Sequence, residues 1–300
     1  MTRPRILVVG SANIDLVVPV PSIPAPGETV LGGTLQLIPG GKGANQAVAA
    51  ARLGAEVRFI GRIGNDEFGR RILQNLQREG IDVRFVYCDH DAPSGVALIA
   101  VADQGQNSIV VAPGANMRLS VADVESASEA FEDADAVVVQ LEIPIEAVET
   151  AARLARQHGA RLILNPAPAR QLPQTLYPLI DYIIPNETEG RQLTGATEVA
   201  TIIETLRKRG CQDVILTLGE RGVAYHFHEA LQQAPAYSVS AVDTTAAGDA
   251  FVAGFAVALC EGRPMSEAVD FGQRVASITV SRWGAQSALP YRGELEDASP

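Results

Sequence analysis

The sequence predicts an α/β fold, in which a three-layer α/β/α core with a mainly parallel sheet carries a small β-sheet lid. Two observations predict the core: short apolar runs alternate with helical patterns from about residue 120 onward, and these runs are rich in β-branched residues. Such continuous runs suit strands buried on both faces of a parallel sheet. A third observation predicts the small sheet, because segments 14–39 and 95–112 lack helices that could cover their strands.

The core strands are expected at five apolar runs, which are Ile6–Val9, Ala136–Val139, Arg161–Leu164, Asp181–Ile184 and Val214–Leu218. Helical periodicity lies between them, near 144–158 and 197–209. The second helical stretch has Thr197 at its start and Gly210 just past its end, as is typical of helix boundaries. Strand–helix–strand order repeated along a chain favours parallel strands joined by crossover helices.

The two segments that break this alternation are expected to pair with each other. Segment 14–39 holds prolines and glycines around short strand-like pieces, and segment 95–112 resembles a hairpin that turns at Asp103–Gln106. We interpret them as one small antiparallel sheet that forms a lid over a site, with two ordinary surface hairpins as the alternative. The chain is therefore expected to form one domain over 1–300, with the lid inserted into the α/β core.

The composition argues against two classes of partner. The chain has 24 Lys and Arg against 35 Asp and Glu, a net charge of −11, and such a surface repels nucleic acid and anionic membranes. The three cysteines form no zinc-binding pattern and fit a reducing compartment. Ile6–Val9 predicts a first strand rather than a signal peptide, and no apolar run is long enough to span a bilayer. We therefore expect a cytoplasmic protein.

Polar residues follow each predicted core strand at the point where it ends. They are Asn13 and Asp15 after the first run, Gln140 and Glu142 after the second, Asn165 after the third, Asn186 and Glu189 after the fourth, and Gly219 and Gly222 after the fifth. Ligands of open parallel sheets bind outside the carboxyl ends of the strands. Each of these residues alone could be an ordinary turn residue, but together they indicate a site at this edge.

The segment Pro39–Asn45 reads Pro-Gly-Gly-Lys-Gly-Ala-Asn and leads into an Ala-rich helical stretch, Gln46–Leu53. Its glycines let the backbone approach a ligand closely, and Lys42 and Asn45 can bond to hydroxyl groups. A Walker A loop is excluded, because Lys42 is followed by Gly rather than by Ser or Thr. A glycine turn that caps the helix is the structural alternative.

The segment Asp243–Asp249 opens a stretch that is apolar on nearly every side as far as Cys260, which predicts a buried helix. Four amides at its start are expected to be unpaired inside the protein, those of Ala246, Ala247, Gly248 and Asp249. Together with the helix dipole they would form a site for phosphate, where Asp249 could accept the proton of an attacking hydroxyl. The alternative is a helix capped by Asp243 or Thr244, with Asp249 as a favourable first-turn acid.

These motifs resemble those of the ribokinase/phosphofructokinase-B family of carbohydrate kinases. Gly40–Asn45 is similar to the family's N-terminal signature, and Asp243–Asp249 is similar to its C-terminal signature. The likeness runs from residue 5 to about 292 and includes Asn13–Asp15, Pro26–Thr29, Gln140–Glu142, Asn165–Pro168, Pro185–Glu189, Thr217–Gly219 and Gly284–Gln286. These motifs resemble the ribose kinases of the family more than its fructose or adenosine kinases.

The resemblance implies an enzyme that transfers the γ-phosphoryl group of ATP to O5 of D-ribose, and a homodimer in which the lids of two subunits clasp each other. It assigns sugar contacts to Asn13, Asp15, Gly41, Lys42, Asn45 and Glu142, the general base to Asp249, and an anion hole to Ala246, Ala247 and Gly248. A kinase for 2-deoxyribose or another sugar is one alternative. A non-catalytic sugar sensor is another.

The resemblance also implies ATP, Mg²⁺ and K⁺ sites. ATP would lie against Asn186, Thr217, Leu218, Gly219, Glu220, Arg221, Gly222, Gly248 and Gln273, and Mg²⁺ would be organised by Asn186 and Glu189. The activating cation, usually K⁺, would lie near Asp243, Thr245, Thr279, Arg282 and Gly284. Gln273, Trp283 and Ala288 depart from the family pattern. Ala288 puts one cation ligand in doubt, although Ser287 beside it could substitute.

Overall fold

The computed structural model describes residues 3–102, 106–227 and 230–297. Its strands are β1 (Arg5–Val9), β2 (Asn13–Val20), β3 (Gln36–Gly40), β4 (Glu56–Gly64), β5 (Asp82–Asp89), β6 (Gly95–Ala102), β7 (Asn107–Ala112), β8 (Ala136–Val139), β9 (Arg161–Leu164), β10 (Tyr182–Ile183), β11 (Asp213–Thr217), β12 (Val223–Phe227) and β13 (Ala230–Ala234). Its helices are α1 (Lys42–Arg52), α2 (Glu67–Arg78), α3 (Val121–Ser126), α4 (Ile145–His158), α5 (Glu187–Thr194), α6 (Val199–Lys208), α7 (Ala247–Cys260), α8 (Met265–Val280) and α9 (Arg292–Asp297).

A nine-stranded sheet forms the centre of the protein, in the order β13-β12-β11-β10-β9-β8-β1-β4-β5. The pairs from β11 to β5 are parallel, whereas β12 and β13 add an antiparallel edge. Alternate residues of β1 point to opposite faces: Ile6 and Val8 join a core with α1, α2, α7 and α8, and Leu7 and Val9 join a core with α3, α4 and α6. This alternation follows from the two-residue repeat of a strand. The predicted three-layer α/β/α core is confirmed.

The helix predicted near 144–158 is α4. The stretch predicted near 197–209 is α6, which begins at Val199 after an extended Glu198. Helix α5 was not predicted; it begins where Asn186 caps the amide of Glu189 and ends at Gly195 in the left-handed conformation. Because α5 has only eight residues, its apolar periodicity is too short to stand out in the sequence.

The second sheet has four strands in the order β3-β2-β6-β7 and brings together segments 14–39 and 95–112, as predicted. The prediction that this sheet is wholly antiparallel is wrong, because its central pair, β2 and β6, is parallel. Strands β1 and β5 end at the same edge of the large sheet and lead directly into β2 and β6, so both segments leave the core in the same direction. The outer pairs are antiparallel. Of the predicted turn at Asp103–Gln106, residues 103–105 lie outside the described residues.

Among the helices of the described ranges, none has the length and apolar character needed to cross a bilayer.

Candidate active site

Three segments meet at the carboxyl edge of the large sheet: the link between β1 and β2, the start of α1 and the start of α7. The amide of Ala44 donates to the Ser11 carbonyl at 2.8 Å. Glu142, which follows β8, accepts bonds from Ser11 Oγ at 2.5 Å and from the Lys42 amide at 3.1 Å. Asn45 Nδ2 donates to Asp249 Oδ2 at 2.9 Å. The structure therefore brings together residues that the sequence places more than 200 positions apart.

Helix α1 begins at Lys42, four residues before the predicted start at Gln46. Gly41 precedes it with φ of 89°, a conformation that favours glycine, and it occupies the N-cap position without a side-chain cap. The glycine turn does cap the helix, as the structural alternative proposed. Gly43 serves close packing, because a Cβ there would lie 2.7 Å from the Ser11 backbone. The earlier start places Asn45 and Gln46 at the first turn of the helix, where both face Asp249.

Helix α7 begins at Ala247, as the motif Asp243–Asp249 predicts, and its residues from Asp249 to Leu259 are buried. Neither Asp243 nor Thr244 caps it, since Ala246 takes the N-cap position and no side chain bonds to the first-turn amides. Ala246 has φ of 60°, a left-handed conformation that costs an L-residue about 1 kcal/mol. This turn leads directly into the first turn of α7, which carries Asp249.

The expectation that four amides are unpaired inside the protein is only partly right. The amide of Ala247 donates to the Thr244 carbonyl at 3.3 Å, because the left-handed turn at Ala246 folds the chain back. Among the described residues, none accepts a bond from the amides of Gly248 or Asp249. Gly248 is exposed, and a Cβ at Gly248 would meet no atom within 4 Å. Beside the buried Asp249 there is therefore room for an anion at a helix N-terminus.

The predicted sugar site concentrates charge in a small volume. Burial raises the pKa of Asp15 to about 7, and the nearby carboxylates of Glu142 and Asp249 add to the effect. Burial lowers the pKa of Lys42, but Asp249, Glu142 and Glu189 together outweigh burial and raise it above its ordinary value. Lys42 therefore stays protonated and balances part of the negative charge around it.

A hydrogen bond to a second asparagine fixes the orientation of the Asn13 side-chain amide. Its Oδ1 accepts a bond from Asn116 Nδ2 at 2.7 Å, and Asn116 Oδ1 in turn accepts from the Ala12 amide at 2.9 Å. Both asparagines are buried. Because its oxygen is occupied, Asn13 presents its N–H groups to any ligand, which suits the oxygen of a sugar hydroxyl.

The predicted nucleotide residues line the same edge, farther along the sheet. Asn186 and Glu189 bond to each other through a reciprocal capping box, with distances of 2.8 and 2.9 Å. Burial raises the pKa of Glu189, and the charge of Asp249 adds to that effect. The segment Thr217–Gly222 turns back at Gly219 and Gly222, both with positive φ. The other predicted members of this segment, Leu218, Glu220 and Arg221, lie within that turn.

Gln273 is buried on α8, and its Oε1 accepts no hydrogen bond from the described residues. A buried acceptor without a partner costs about 1–3 kcal/mol, so this atom is suited to a ligand that donates an N–H.

The predicted cation site lies where the loop before α7 meets the loop after α8. Asp243 Oδ1 accepts from the Thr245 amide at 2.9 Å and from its hydroxyl at 2.7 Å, and Oδ2 accepts from the Gly284 amide at 3.0 Å. The side chain of Thr279 bonds to the Val275 carbonyl, and that of Arg282 pairs with Glu294. Arg282 can therefore offer only its backbone carbonyl, whereas Thr279 can offer its carbonyl and the lone pairs of its hydroxyl, at a helix C-terminus that favours a cation.

Ala288 is fully buried and offers no side-chain oxygen to this loop. Ser287 Oγ donates to the Trp283 carbonyl at 2.9 Å. The oxygen donors around Asp243 still suit a hard monovalent cation.

Comparison with known proteins identifies the family. Residues 3–292 match the sequence profile described as pfkB family carbohydrate kinase. The chain belongs to this family. It is 43% identical over 297 residues to the ribokinase of Haemophilus influenzae, covering 97% of each protein, and 35% identical over 291 residues to the deoxyribokinase of Salmonella typhi, covering 95% of each. The structure of Arabidopsis thaliana ribokinase, complexed with ribose and ATP, matches with a TM-score of 0.89 at 33% identity, covering 99% of this chain and 98% of that one.

Several buried amide side chains near the site were given no individual role from the sequence. They are Gln46, Asn116, Gln140, Asn165 and Gln286. The available signal was their position: Gln46 follows the glycine-rich motif, Gln140 and Asn165 follow core strands, and Gln286 ends the motif Gly284–Gln286, whereas Asn116 lies in none of these motifs. Amides alone are common in turns, so only their mutual contacts in three dimensions distinguish them.

Proposed function

We propose that this chain catalyses the ATP-dependent phosphorylation of D-ribose at O5, giving ribose 5-phosphate and ADP. The observation that carries the proposal is the buried carboxylate of Asp249 beside the free amides of Gly248 and Asp249, facing the polar groups of α1 and β2. Phosphoryl transfer needs positioning and charge stabilisation more than covalent catalysis. The site provides both in one place.

The reaction follows from these positions. Asp249 accepts the proton of the O5 hydroxyl, the O5–P bond forms, and the bond between the γ-phosphorus and the oxygen of ADP breaks. Helix amides at Gly248 and Asp249 stabilise the negative charge on the transferring group, as donors arranged in advance do in other enzymes. Asn13, Asp15, Lys42, Asn45, Glu142 and the Gly41 backbone hold the remaining sugar hydroxyls. Ala246 and Ala247 shape the turn that holds the amides in place.

Asn186, the Thr217–Gly222 turn, Gly248 and Gln273 would hold ATP, with the buried Gln273 oxygen as an acceptor for an N–H. Mg²⁺ bound with the nucleotide neutralises phosphate charge. Asn186 and Glu189 fit its surroundings, since burial disfavours the charged form of Glu189 and a nearby cation would offset that cost. This assignment places nucleotide and sugar on opposite sides of the α7 start.

The small sheet is the proposed lid over the sugar. Large apolar side chains are exposed on both of its faces: Leu37, Leu98 and Val110 lie on one face, and Ile109 and Val111 lie on the other. Exposed apolar surface of this kind favours association, and a closed pair of identical subunits is the commonest solution. We infer a homodimer joined through the lids, and we place the enzyme in the cytoplasm, where ATP is available and the free cysteines Cys88, Cys211 and Cys260 stay reduced.

Sugar selectivity tests the substrate assignment. A substrate without the 2-hydroxyl leaves one or more buried polar groups unpaired, which costs about 1–3 kcal/mol per group, or roughly 5- to 150-fold in kcat/KM. We expect kcat/KM to rank ribose above 2-deoxyribose, with fructose poorer because its extra hydroxymethyl group must fit under the lid. The measurement is ATP consumption against these sugars and adenosine.

Equal kcat/KM values for ribose and 2-deoxyribose, or fructose as the best substrate, would refute the ribose assignment. Either result would still be consistent with a sugar kinase. The second candidate is 2-deoxyribose, which the similarity to a deoxyribokinase favours. A non-catalytic sensor would consume no ATP with any sugar. The free amides and the buried carboxylate argue against that reading.

A monovalent cation is expected to raise activity through the loop at Asp243. K⁺ suits the carbonyl-rich site better than Na⁺, and we expect kcat in KCl to exceed kcat in NaCl on the order of fivefold at equal ionic strength, or less because Ala288 removes a possible ligand. Trp283 is the one tryptophan of the chain and lies beside Gly284, so its fluorescence should change with K⁺ on a saturating curve.

The control for this experiment is Asp243→Asn, which should abolish both K⁺ responses. Identical rates and fluorescence in K⁺, Na⁺ and choline would refute the site.

A further inference from the structure

Gln46 is a buried amide that directly contacts Asp249. Its side chain is 1% exposed, and its Nε2 donates to Asp249 Oδ1 at 3.0 Å and to Asn165 Oδ1 at 3.1 Å. Its Oε1 accepts from Gln140 Nε2 at 2.6 Å. Both N–H groups and the oxygen of Gln46 are therefore engaged.

The contacts with Asn165 and Gln140 determine which way the Gln46 amide faces. The oxygen and nitrogen of an amide are similar in size, so packing alone does not distinguish the two orientations. Asn165 Nδ2 donates to the Ile184 carbonyl at 3.0 Å, so Asn165 Oδ1 faces Gln46 as an acceptor. If Gln46 were rotated by half a turn, its oxygen would oppose Asn165 Oδ1 and the Asp249 carboxylate, and its NH₂ group would oppose the NH₂ group of Gln140. Buried contacts of this kind are costly, and Asn165 and Gln140 thus keep an N–H of Gln46 directed at Asp249.

The other oxygen of Asp249 is held in the same way. Asn45 Nδ2 donates to Asp249 Oδ2 at 2.9 Å, and Asn45 Oδ1 accepts from Gln286 Nε2 at 3.1 Å. Each amide that donates to the carboxylate therefore has its own oxygen occupied by a second amide. Two neutral donors, one on each oxygen, therefore fix the plane of the carboxylate.

Four charged groups lie near Asp249. Asp15 and Glu189 face it with like charge, Lys42 faces it with opposite charge, and Glu142 adds negative charge beside Asp15 and Lys42. A carboxyl group introduced at position 46 would therefore lie beside Asp249 in a volume that already holds three other carboxyl groups and one ammonium group.

We propose that Gln46 is a positioning residue for the reaction, held in its orientation by Gln140 and Asn165, and that it keeps the Asp249 carboxylate directed at the substrate hydroxyl. The inference rests on the proposed role of Asp249 as the base. Gln46 itself touches no reacting atom, so its effect is expected on kcat and on the pH dependence of kcat rather than on the KM for either substrate.

The test is the pH profile of kcat for Gln46→Glu, measured at saturating ribose and ATP, with Gln157→Glu on the exposed face of α4 as the matched control. Two carboxyl groups about 3 Å apart share a proton, which raises an apparent pKa by about 1–3 units. We expect the acid limb of the profile to move up by that amount, so that the loss of kcat relative to the wild type is largest at the acid end of the profile and small at pH 9. Gln157→Glu should match the wild type.

An acid limb that stays within about 0.3 pH units of the wild type overturns the proposal, whatever the value of kcat, because a carboxyl group at position 46 that contacts Asp249 must share its proton. Gln140→Leu tests the orienting contact without adding a charge: kcat should fall about 3- to 10-fold with both KM values unchanged, and an unchanged kcat overturns the proposal. Asp249→Asn is measured alongside. A fully active Asp249→Asn refutes the base itself, whereas an inactive one with a normal Gln46→Glu profile refutes only the role of Gln46.

Discussion

Replacing Asp249 with Asn is expected to lower kcat by about 10²- to 10⁴-fold, the usual contribution of general-base catalysis. The amide keeps the size of the carboxylate but cannot accept the O5 proton. It also presents an NH₂ group to the N–H of Asn45 or Gln46, which now donate to Asp249. One buried donor loses its acceptor, so the free energy of unfolding should fall by about 1–3 kcal/mol without loss of the fold.

The measurement is kcat at saturating ATP and ribose, with circular dichroism and thermal unfolding on the same samples. Glu132→Gln, an exposed change from carboxylate to amide, is the control and should keep the wild-type rate. A kcat for Asp249→Asn within threefold of the wild type would exclude Asp249 as the base.

Replacing Asp15 with Asn is expected to stabilise the protein in a way that depends on pH. The pKa of Asp15 rises from 3.8 to about 7 on folding, so the folded protein binds this proton more tightly than the unfolded chain. The ionisation of Asp15 therefore leaves the free energy of unfolding unchanged below about pH 4. It lowers this free energy progressively between pH 4 and 7, and by a constant amount above pH 7. Asn removes the cost, and the gain above about pH 7 should be about 4 kcal/mol.

The measurement is denaturant unfolding of both proteins without sugar at pH 4, 6 and 8. The difference in the free energy of unfolding should be near zero at pH 4 and largest at pH 8. A difference that does not vary with pH, or that falls as pH rises, would contradict the raised pKa. The same variant should raise the KM for ribose, because the ionised carboxylate is a stronger acceptor of hydroxyl groups than an amide.

The parts of the fold that follow from local sequence were predictable. The buried strands β1, β8 and β9 are continuous apolar runs, and α7 is apolar on all sides. The direction of β6 relative to β2 was not predictable from local sequence. It follows from the parallel direction of β1 and β5 in the large sheet. The pairing of β2 with β6 also joins residues that are distant in the chain.

The motifs of the site could also be recognised in the sequence, but the contacts that hold their side chains in place could not. Lys42, Asn45 and Asp249 lie in recognisable glycine-rich patterns. The start of α1 at Lys42 depends on the left-handed Gly41, which no helical periodicity reveals. The orientation of Gln46 depends on Gln140, 94 residues away along the chain. Contacts of this kind arise only when the sheet brings several strand ends to one edge.

The identity of the phosphorylated product tests the proposed transfer to O5 most directly. Purified protein is incubated with ATP, Mg²⁺, K⁺ and ribose, and the product is examined by ³¹P NMR with coupling to protons. We expect loss of the γ-phosphate signal of ATP and a new phosphomonoester signal split into a triplet by the two protons on C5. A doublet from the single proton on C1, or release of inorganic phosphate alone, would contradict the transfer to O5 that Asp249 is proposed to catalyse.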